Sequence, residues 1–456
     1  MDTRHGALRV FGAPDGVVPA LVVIGTRPEA IKLLPLVRAM TDHPRIQPIV
    51  VATGQHGDVV EDVLALDGLS VQANLRVGRQ GLTLNALFGA VMTGLEDLVV
   101  DRWGPPTQSV TERRYDTYPV ACIVHGDTSS AAAGALAAFH LRIPVVHVEA
   151  GLRTRSTLSP FPEELNRQLV ARIATFHLAP TDENEQNLVR ERVDIDRVFV
   201  TGNTAIDALR WAAERHEPYG VPELADLEDD ETTPVVTVTA HRRENWGGGL
   251  RRIAAAVHRL AESYPKVRFV LPVHPNPAVA SVLRESLDQL PNLTLVPPME
   301  YLGFARLLAR STIVLTDSGG VQEEAPALGV PVLVLRATTE RTEGVEAGTL
   351  ELVGTDPDTV VEAASRLLDH PELRAEISMR PNPYGDGHAV ARIIGAFENL
   401  LFDGPRPEPF GPGYSRAAVL DAAGYDRVEE VVVPPEAGRG IAPAPTEPLI
   451  EDLDVR

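Results

Sequence analysis

The sequence predicts an α/β protein made of two doubly wound, Rossmann-like parallel sheets that face each other across a cleft. Three observations predict it. Short apolar runs alternate with longer stretches of helical period. These runs fall into two series separated by an acidic segment, and chemistry-bearing residues cluster just after them.

The first series reads as strands at Ala20–Gly25, Gln47–Ala52, Val120–Val124, Pro144–Val148, Phe176–Ala179 and Arg197–Val200, with helices such as Pro28–Met40 and Ser129–Leu141 between them. The second reads as Val235–Thr239, Val267–Leu271, Leu293–Val296, Ile313–Thr316 and Val330–Leu335. Between them, Pro218–Thr233 carries six carboxylates from Glu223 to Glu231 and reads as a solvated linker. The expected organisation is a leader at 1–17, a first domain at 18–217, the linker at 218–233, and a second domain at 234–383. A helix within 384–402 is expected to pack back on the first domain. The tail at 404–456, with nine prolines, ten acids and five bases, is expected to be mostly irregular.

Composition narrows the function. With 42 Lys+Arg against 63 Asp+Glu, the net charge of −21 disfavours nucleic acid and anionic membrane surfaces. Trp103, Trp211 and Trp246 form no stacking stripe. The single cysteine, Cys122, excludes a disulfide within the chain and a zinc site on paired thiolates. No apolar run reaches the roughly 18 residues of a membrane span, and residues 1–19 have no secretory h-region. The expectation is a soluble protein of a reducing, cytoplasmic compartment. Only Lys32 and Lys266 are lysines, which draws attention to Lys32.

In open α/β sheets ligands bind beyond the carboxyl ends of strands. After the first strand, Gly25-Thr26-Arg27-Pro28-Glu29-Ala30-Ile31-Lys32 opens a helix, with Arg27 at its anion-attracting end and Lys32 a turn further on. This is either anion contact or a capped helix with two solvated cations. Asp127 in His125-Gly126-Asp127-Thr128, Glu149 in His147-Val148-Glu149-Ala150-Gly151-Leu152-Arg153, and Glu163 after Pro162 reach the same edge. Each alone reads as a helix cap. Three carboxylates converging on one cleft shift one another's pKa values and permit acid and base roles.

The second domain reads as the nucleotide half. His241-Arg242-Arg243 precedes a glycine-rich helix start, and Val273-His274-Pro275 follows another strand. The densest signal is Thr316-Asp317-Ser318-Gly319-Gly320-Val321-Gln322-Glu323-Glu324, where two glycines admit a pyrophosphate to a helix N-terminus and one glutamate can take a ribose diol. Thr339–Thr349 reads as a charged, irregular loop containing Arg341.

Together GTRPEAIK, HGDTSS, HVEAGLRT, PFPEELNR, TGNTAIDAL, HRREN, PVHPNP, TDSGGVQEEAPALG and NPYGDG resemble the non-hydrolysing UDP-N-acetylglucosamine 2-epimerases of bacterial type, from Val18 to Leu401. The resemblance implies a glycosyltransferase-B-like fold, a homodimer, no metal or redox cofactor, and interconversion of UDP-GlcNAc and UDP-ManNAc. It implies catalytic roles for Asp127, Glu149, Glu163, Lys32 and His241. It implies substrate contacts by Arg27, Arg153, His274, Phe304, Ser318, Gly319, Gly320, Glu324 and Arg341. Gln55, His56 and Gln80 match part of a region where family members bind a second UDP-GlcNAc, although Gly57-Asp58 replaces the charged pair often seen there. Thr342 stands where the family commonly has proline. A UDP-sugar glycosyltransferase would share the fold without requiring the three carboxylates, whereas a hydrolysing epimerase would share them and differ in water access. A non-catalytic sensor would usually have lost one.

Overall fold

The computed structural model describes residues 16–78, 81–106, 118–154, 156–339, 341–411, 414–416 and 419. Its first sheet contains β1 (Val18–Ile24), β2 (Ile46–Ala52), β3 (Ala73–Asn74), β4 (Ala121–His125), β5 (Val145–Val148), β6 (Phe176–Ala179) and β7 (Val198–Val200). The second contains β8 (Val235–Thr239), β9 (Arg268–Pro272), β10 (Leu293–Val296), β11 (Ile313–Thr316), β12 (Val332–Val334) and β13 (Leu350–Leu352). The strand orders are β3-β2-β1-β4-β5-β6-β7 and β10-β9-β8-β11-β12-β13, parallel throughout. Each order reverses once, between β1 and β4 and between β8 and β11. A crevice therefore opens at each reversal, at the carboxyl ends of the strands.

Strands covered on both faces explain the continuous apolar runs. In β1, Val22 and Ile24 pack toward the helices Arg27–Asp42 and Ala389–Phe402, while Leu21 and Val23 pack toward Leu84–Trp103 and Ser129–His140. The helix Ala389–Phe402 follows the second sheet in sequence but buries Ile393, Ala396 and Phe397 in the first sheet's core. Asp207 receives the Ala389 and Val390 N–H groups at 3.2 and 2.9 Å, fixing the start of that return helix.

The structure corrects the solvated reading of 218–233. Tyr219, Val221, Leu224 and Leu227 are buried against Val235, Val270, Val296 and Leu307. The carboxylates face outward around this apolar staple, and Arg306 holds Glu228 at 3.1 Å. The segment 341–349 is also more regular than its charges suggest, with a short helix at Thr342–Glu346 leading into β13.

The start of the tail packs on the first sheet. The Phe410 N–H donates to Val200 O at 2.8 Å, and Arg406 donates to Val198 O at 2.5 Å, covering the exposed edge of β7. Tyr414 Oη donates to Glu185 at 2.9 Å, Arg416 pairs with Asp196 at 2.7 Å, and Val419 is buried. Residues 1–15 of the expected leader, residues 107–117, where the sequence reads as a polar loop at 104–119, and residues 420–456 of the tail lie outside the described residues. Among the described residues no helix is long and apolar enough to cross a membrane.

Candidate active site

The first wall is built at the ends of β1, β4 and β5. Thr26 caps the helix Arg27–Asp42, and the Glu29 carboxylate folds back onto the Gly25 and Thr26 N–H groups at 3.0 and 2.7 Å. The Thr128 hydroxyl donates to the other Glu29 oxygen at 2.8 Å, so one buried side chain ties the β1 loop to the β4 loop. Burial pushes Glu29 up to about 7 although these donors work the other way. Lys32, a turn further along, reaches Glu149 with Nζ 2.5 Å from Oε2. Glu149 holds a left-handed backbone at φ 61°, a strained position for a side chain of its size. Burial alone would raise its pKa, but Lys32 above all, with Arg341 further off, holds it down at about 2. Glu149 is therefore ionised across the neutral range.

Next to this pair, Asp127 Oδ2 lies 2.6 Å from Arg167, which also holds Glu164 at 3.0 Å. Asn166 donates to Asp127 O at 2.8 Å. Burial raises the Asp127 pKa, with Arg167 opposing it. His147 Nε2 lies 2.7 Å from Gly126 O, within the tight turn at φ 63° that carries Asp127. Burial lowers His147 to about 4, so it acts there as a neutral N–H donor.

The second wall is organised by a buried acid. Asp317, fully buried, accepts the N–H groups of His241 and Arg242 and the Asn245 amide, each at 3.0 Å. The His241 ring stacks on His274 with centroids 5.8 Å apart and planes 7° apart. The helix Gly319–Ala327 begins beside them, and its first residue leaves room for two guanidinium groups. A Cβ on Gly319 would lie 3.0 Å from Arg242 Nη2 and 3.2 Å from Arg341 Cζ. Arg341 pairs with Glu323 at 2.8 Å, and Asn203 donates to the second Glu323 oxygen at 3.0 Å. Burial and the neighbouring Glu323 push Glu324 up to about 7, with Lys32 opposing.

The two walls enclose a cavity of 540 Å³ lined by Lys32, Glu149, Arg153 and Arg167 from the first half and by Arg242, Glu323, Arg341 and Tyr384 from the second. It has the dimensions of a small-molecule site, with cations and a carboxylate on each wall. The UDP-N-acetylglucosamine 2-epimerase family model matches residues 38–398. The chain belongs to that family.

Relatives agree with this assignment. A UDP-N-acetylglucosamine 2-epimerase of Yersinia pestis is 42% identical over 385 residues, covering 83% of this chain and 98% of its own. One of Bacillus subtilis is 42% identical over 382 residues, covering 84% and 94%. The solved structure of a putative UDP-N-acetylglucosamine 2-epimerase from Listeria monocytogenes superposes with a TM-score of 0.79 at 39% identity, covering 87% of this chain and all of that one. The Neisseria meningitidis UDP-GlcNAc 2-epimerase bound to UDP-GlcNAc gives 0.68 at 38% identity, covering 82% and 98%.

In this epimerase the expected site residues fall into groups. Lys32, Glu149, Arg153 and Arg341 line the cavity, and Asp127 reaches it through Arg167. Arg153 is held by both oxygens of Glu191, at 2.7 and 2.9 Å. Glu163 opens the helix Glu163–Ile173, and its Oε2 is buried with no hydrogen-bond partner. Arg27 spans to Glu300, an ion pair between the two halves. His241 and His274 stack together. Ser318 caps its helix by position, with its N–H on Thr316 Oγ1 at 2.9 Å, and Gly320 has open space beside it. Phe304 is half-buried against the apolar staple of Tyr219 and its neighbours. Gln55 accepts from Ser130 at 2.7 Å and His56 is exposed, whereas Gln80 lies outside the described residues.

Residues without a sequence-assigned role complete the site: His125 beside Glu149, Arg167 on Asp127, Arg242 at Gly319, Glu323 on Arg341 with Asn203 behind it, and Asp317 beneath the second wall. All six sat inside quoted motifs, but nothing in the spacing told which neighbour each would meet. Among the described residues no group of three or more His, Cys, Asp or Glu side chains could hold a metal ion.

Proposed function

We propose that this epimerase interconverts UDP-N-acetylglucosamine and UDP-N-acetylmannosamine by eliminating and re-adding UDP, without net hydrolysis. The observation that carries this reading is the opposition of walls: a half-buried Lys32–Glu149 pair beside Asp127–Arg167 faces the Gly319, Arg242 and Arg341 anion seat across the cavity. Support for the substrate comes from relatives named for it and from the Neisseria meningitidis structure bound to UDP-GlcNAc.

The chemistry needs both walls. The C2 hydrogen is not adjacent to a carbonyl, so its direct removal at neutral pH is too slow. When the C1–O bond breaks, its electron pair leaves with the β-phosphate of UDP, and the positive character at C1 acidifies C2–H. A carboxylate takes that proton while the C–H pair forms the C1–C2 double bond of 2-acetamidoglucal. Return of a proton to the opposite face of C2, with attack of UDP on C1, gives the epimer.

Glu149, kept ionised by Lys32, suits stabilisation of positive character at C1, while Asp127, its pKa raised by burial, suits proton transfer. Glu163, with an unpartnered buried oxygen, is the third member of the sugar-side set. Lys32 and His241 meet the leaving-group charge. Arg27 and Ser318-Gly319-Gly320 hold the pyrophosphate, Glu324 the ribose, and Phe304 the uracil. Incubation with UDP-GlcNAc in heavy water, followed by proton NMR, tests the mechanism. The expected result is UDP-ManNAc with deuterium at C2 of both epimers and no accumulation of free sugar. Epimer formed without solvent deuterium would contradict elimination.

A further inference from the structure

His125 closes strand β4 and is 3% exposed. Its Nε2 makes no hydrogen bond, yet it stands 3.5 Å from Glu149 Oε2, the same oxygen that takes Lys32 Nζ at 2.5 Å. A buried nitrogen left without a partner is costly, so its position beside a charged carboxylate calls for a use elsewhere in the reaction cycle. His147, one strand away, already spends its Nε2 on Gly126 O.

The elimination reading supplies the use. Lys32 cannot serve Glu149 and the departing phosphate equally well. Once it turns to the phosphate, the buried carboxylate loses its main cationic partner. The charged or titratable groups facing Glu149 are Lys32 from the first helix, His125 and His147 from the strands, Asp127, and Arg341 from the second half. Asp127 is engaged by Arg167, Arg341 by Glu323, and His147 by Gly126. His125 is closest to the vacated oxygen. Its imidazole is neutral because burial lowers it to about 4, and opposite an ionised carboxylate Nε2 must carry the proton.

We infer that His125 is a positioning residue, whose Nε2–H takes over the Glu149 carboxylate when Lys32 moves to the departing phosphate. This rests on the elimination reading. The exchange keeps Glu149 in place and ionised, while replacing a cation by a neutral donor makes the carboxylate more basic at the moment the sugar needs it.

Two polar substitutions separate reach from bulk. His125→Gln puts an amide N–H near the position of Nε2, and His125→Asn puts one near Nδ1, out of reach of Glu149. Asn is expected to lower kcat by about 10–100-fold, the weight of one hydrogen bond to a charged group. KM and UDP affinity should hold, and the acidic limb of the kcat profile should move to higher pH because an unsupported Glu149 protonates more easily. Gln should restore most of the turnover and the limb. Equal loss in both variants, or no loss in Asn, would overturn the inference. A readout independent of turnover is the ¹⁵N spectrum of labelled histidine, with His125 assigned by its loss in the Gln variant. UDP should shift its Nε2 signal, and an unmoved signal would overturn the exchange even in a chain that epimerises. Absence of epimerisation in the parent chain would instead count against elimination.

Discussion

On the first wall of the cavity the charged groups are paired with one another, Lys32 with Glu149 and Asp127 with Arg167. On the second, the buried acid spends itself on the backbone. Asp317 fixes the His241 and Arg242 N–H groups and the Asn245 amide, and the space beside Gly319 is bordered by Arg242 and Arg341. Side-chain pairs can exchange partners and protons, whereas a framework pinned through backbone N–H groups holds its donors in place. The proposed function divides along the same line, with chemistry at the first wall and retention of the diphosphate at the second.

The largest effect should come from the first wall. Glu149→Gln and Asp127→Asn are each expected to lower kcat by about 10²–10⁴-fold, the range for loss of an acid or base group. Steady-state turnover in both directions checks this. Near-normal rates would return both carboxylates to a structural role and erase the division.

A smaller effect is expected on the second wall. In Gly319→Ala the new methyl would press on Arg242 and Arg341, displacing the guanidinium groups proposed to hold the anion, and UDP affinity should fall by roughly 10–100-fold. Gly320→Ala meets only Glu324 among the protein atoms, at 4.0 Å, and should lose less UDP affinity than Gly319→Ala. Equal losses in the two variants would show that the seat depends on backbone freedom rather than on the arginines.

Much of the fold was legible because strands buried on both faces are written as continuous apolar runs. Leu21–Ile24 and Val235–Thr239 are examples, and their strand-end motifs located the crevices. The edge strands β3 and β13 have only two and three residues, too short for any period to register. Tyr219, Val221, Leu224 and Leu227 were hidden among carboxylates because their spacing follows an irregular segment rather than a helix or strand. Within the site, Ser318-Gly319-Gly320 read as one unit, and only the geometry separates the crowded Gly319 from the open Gly320. Which of Glu323 and Glu324 meets Arg341 depends on helix rotation, which two adjacent identical residues cannot reveal. His125 read only as the residue that follows a strand, since its proximity to Glu149 arises when β4 and β5 pair.

The smallest effect on chemistry, and a distinct one on stability, belongs to the tail. Deleting residues 404–456 removes Phe410 and Val419 from buried positions, each worth roughly 1.5–3 kcal/mol, together with the Arg406 and Tyr414 hydrogen bonds. The expected outcome is a lower melting temperature with UDP affinity retained, checked by thermal denaturation with and without UDP. A tail that contributes to the cavity itself would weaken UDP binding instead.

The division between the walls is tested most directly by calorimetric titration of UDP into Glu149→Gln and Gly319→Ala side by side. The account predicts that the Glu149 variant binds UDP nearly as the parent does, despite its lost turnover, while the Gly319 variant binds it markedly more weakly. Loss of UDP affinity in Glu149→Gln equal to that in Gly319→Ala would contradict it, because the first wall would then be holding the nucleotide as much as the second.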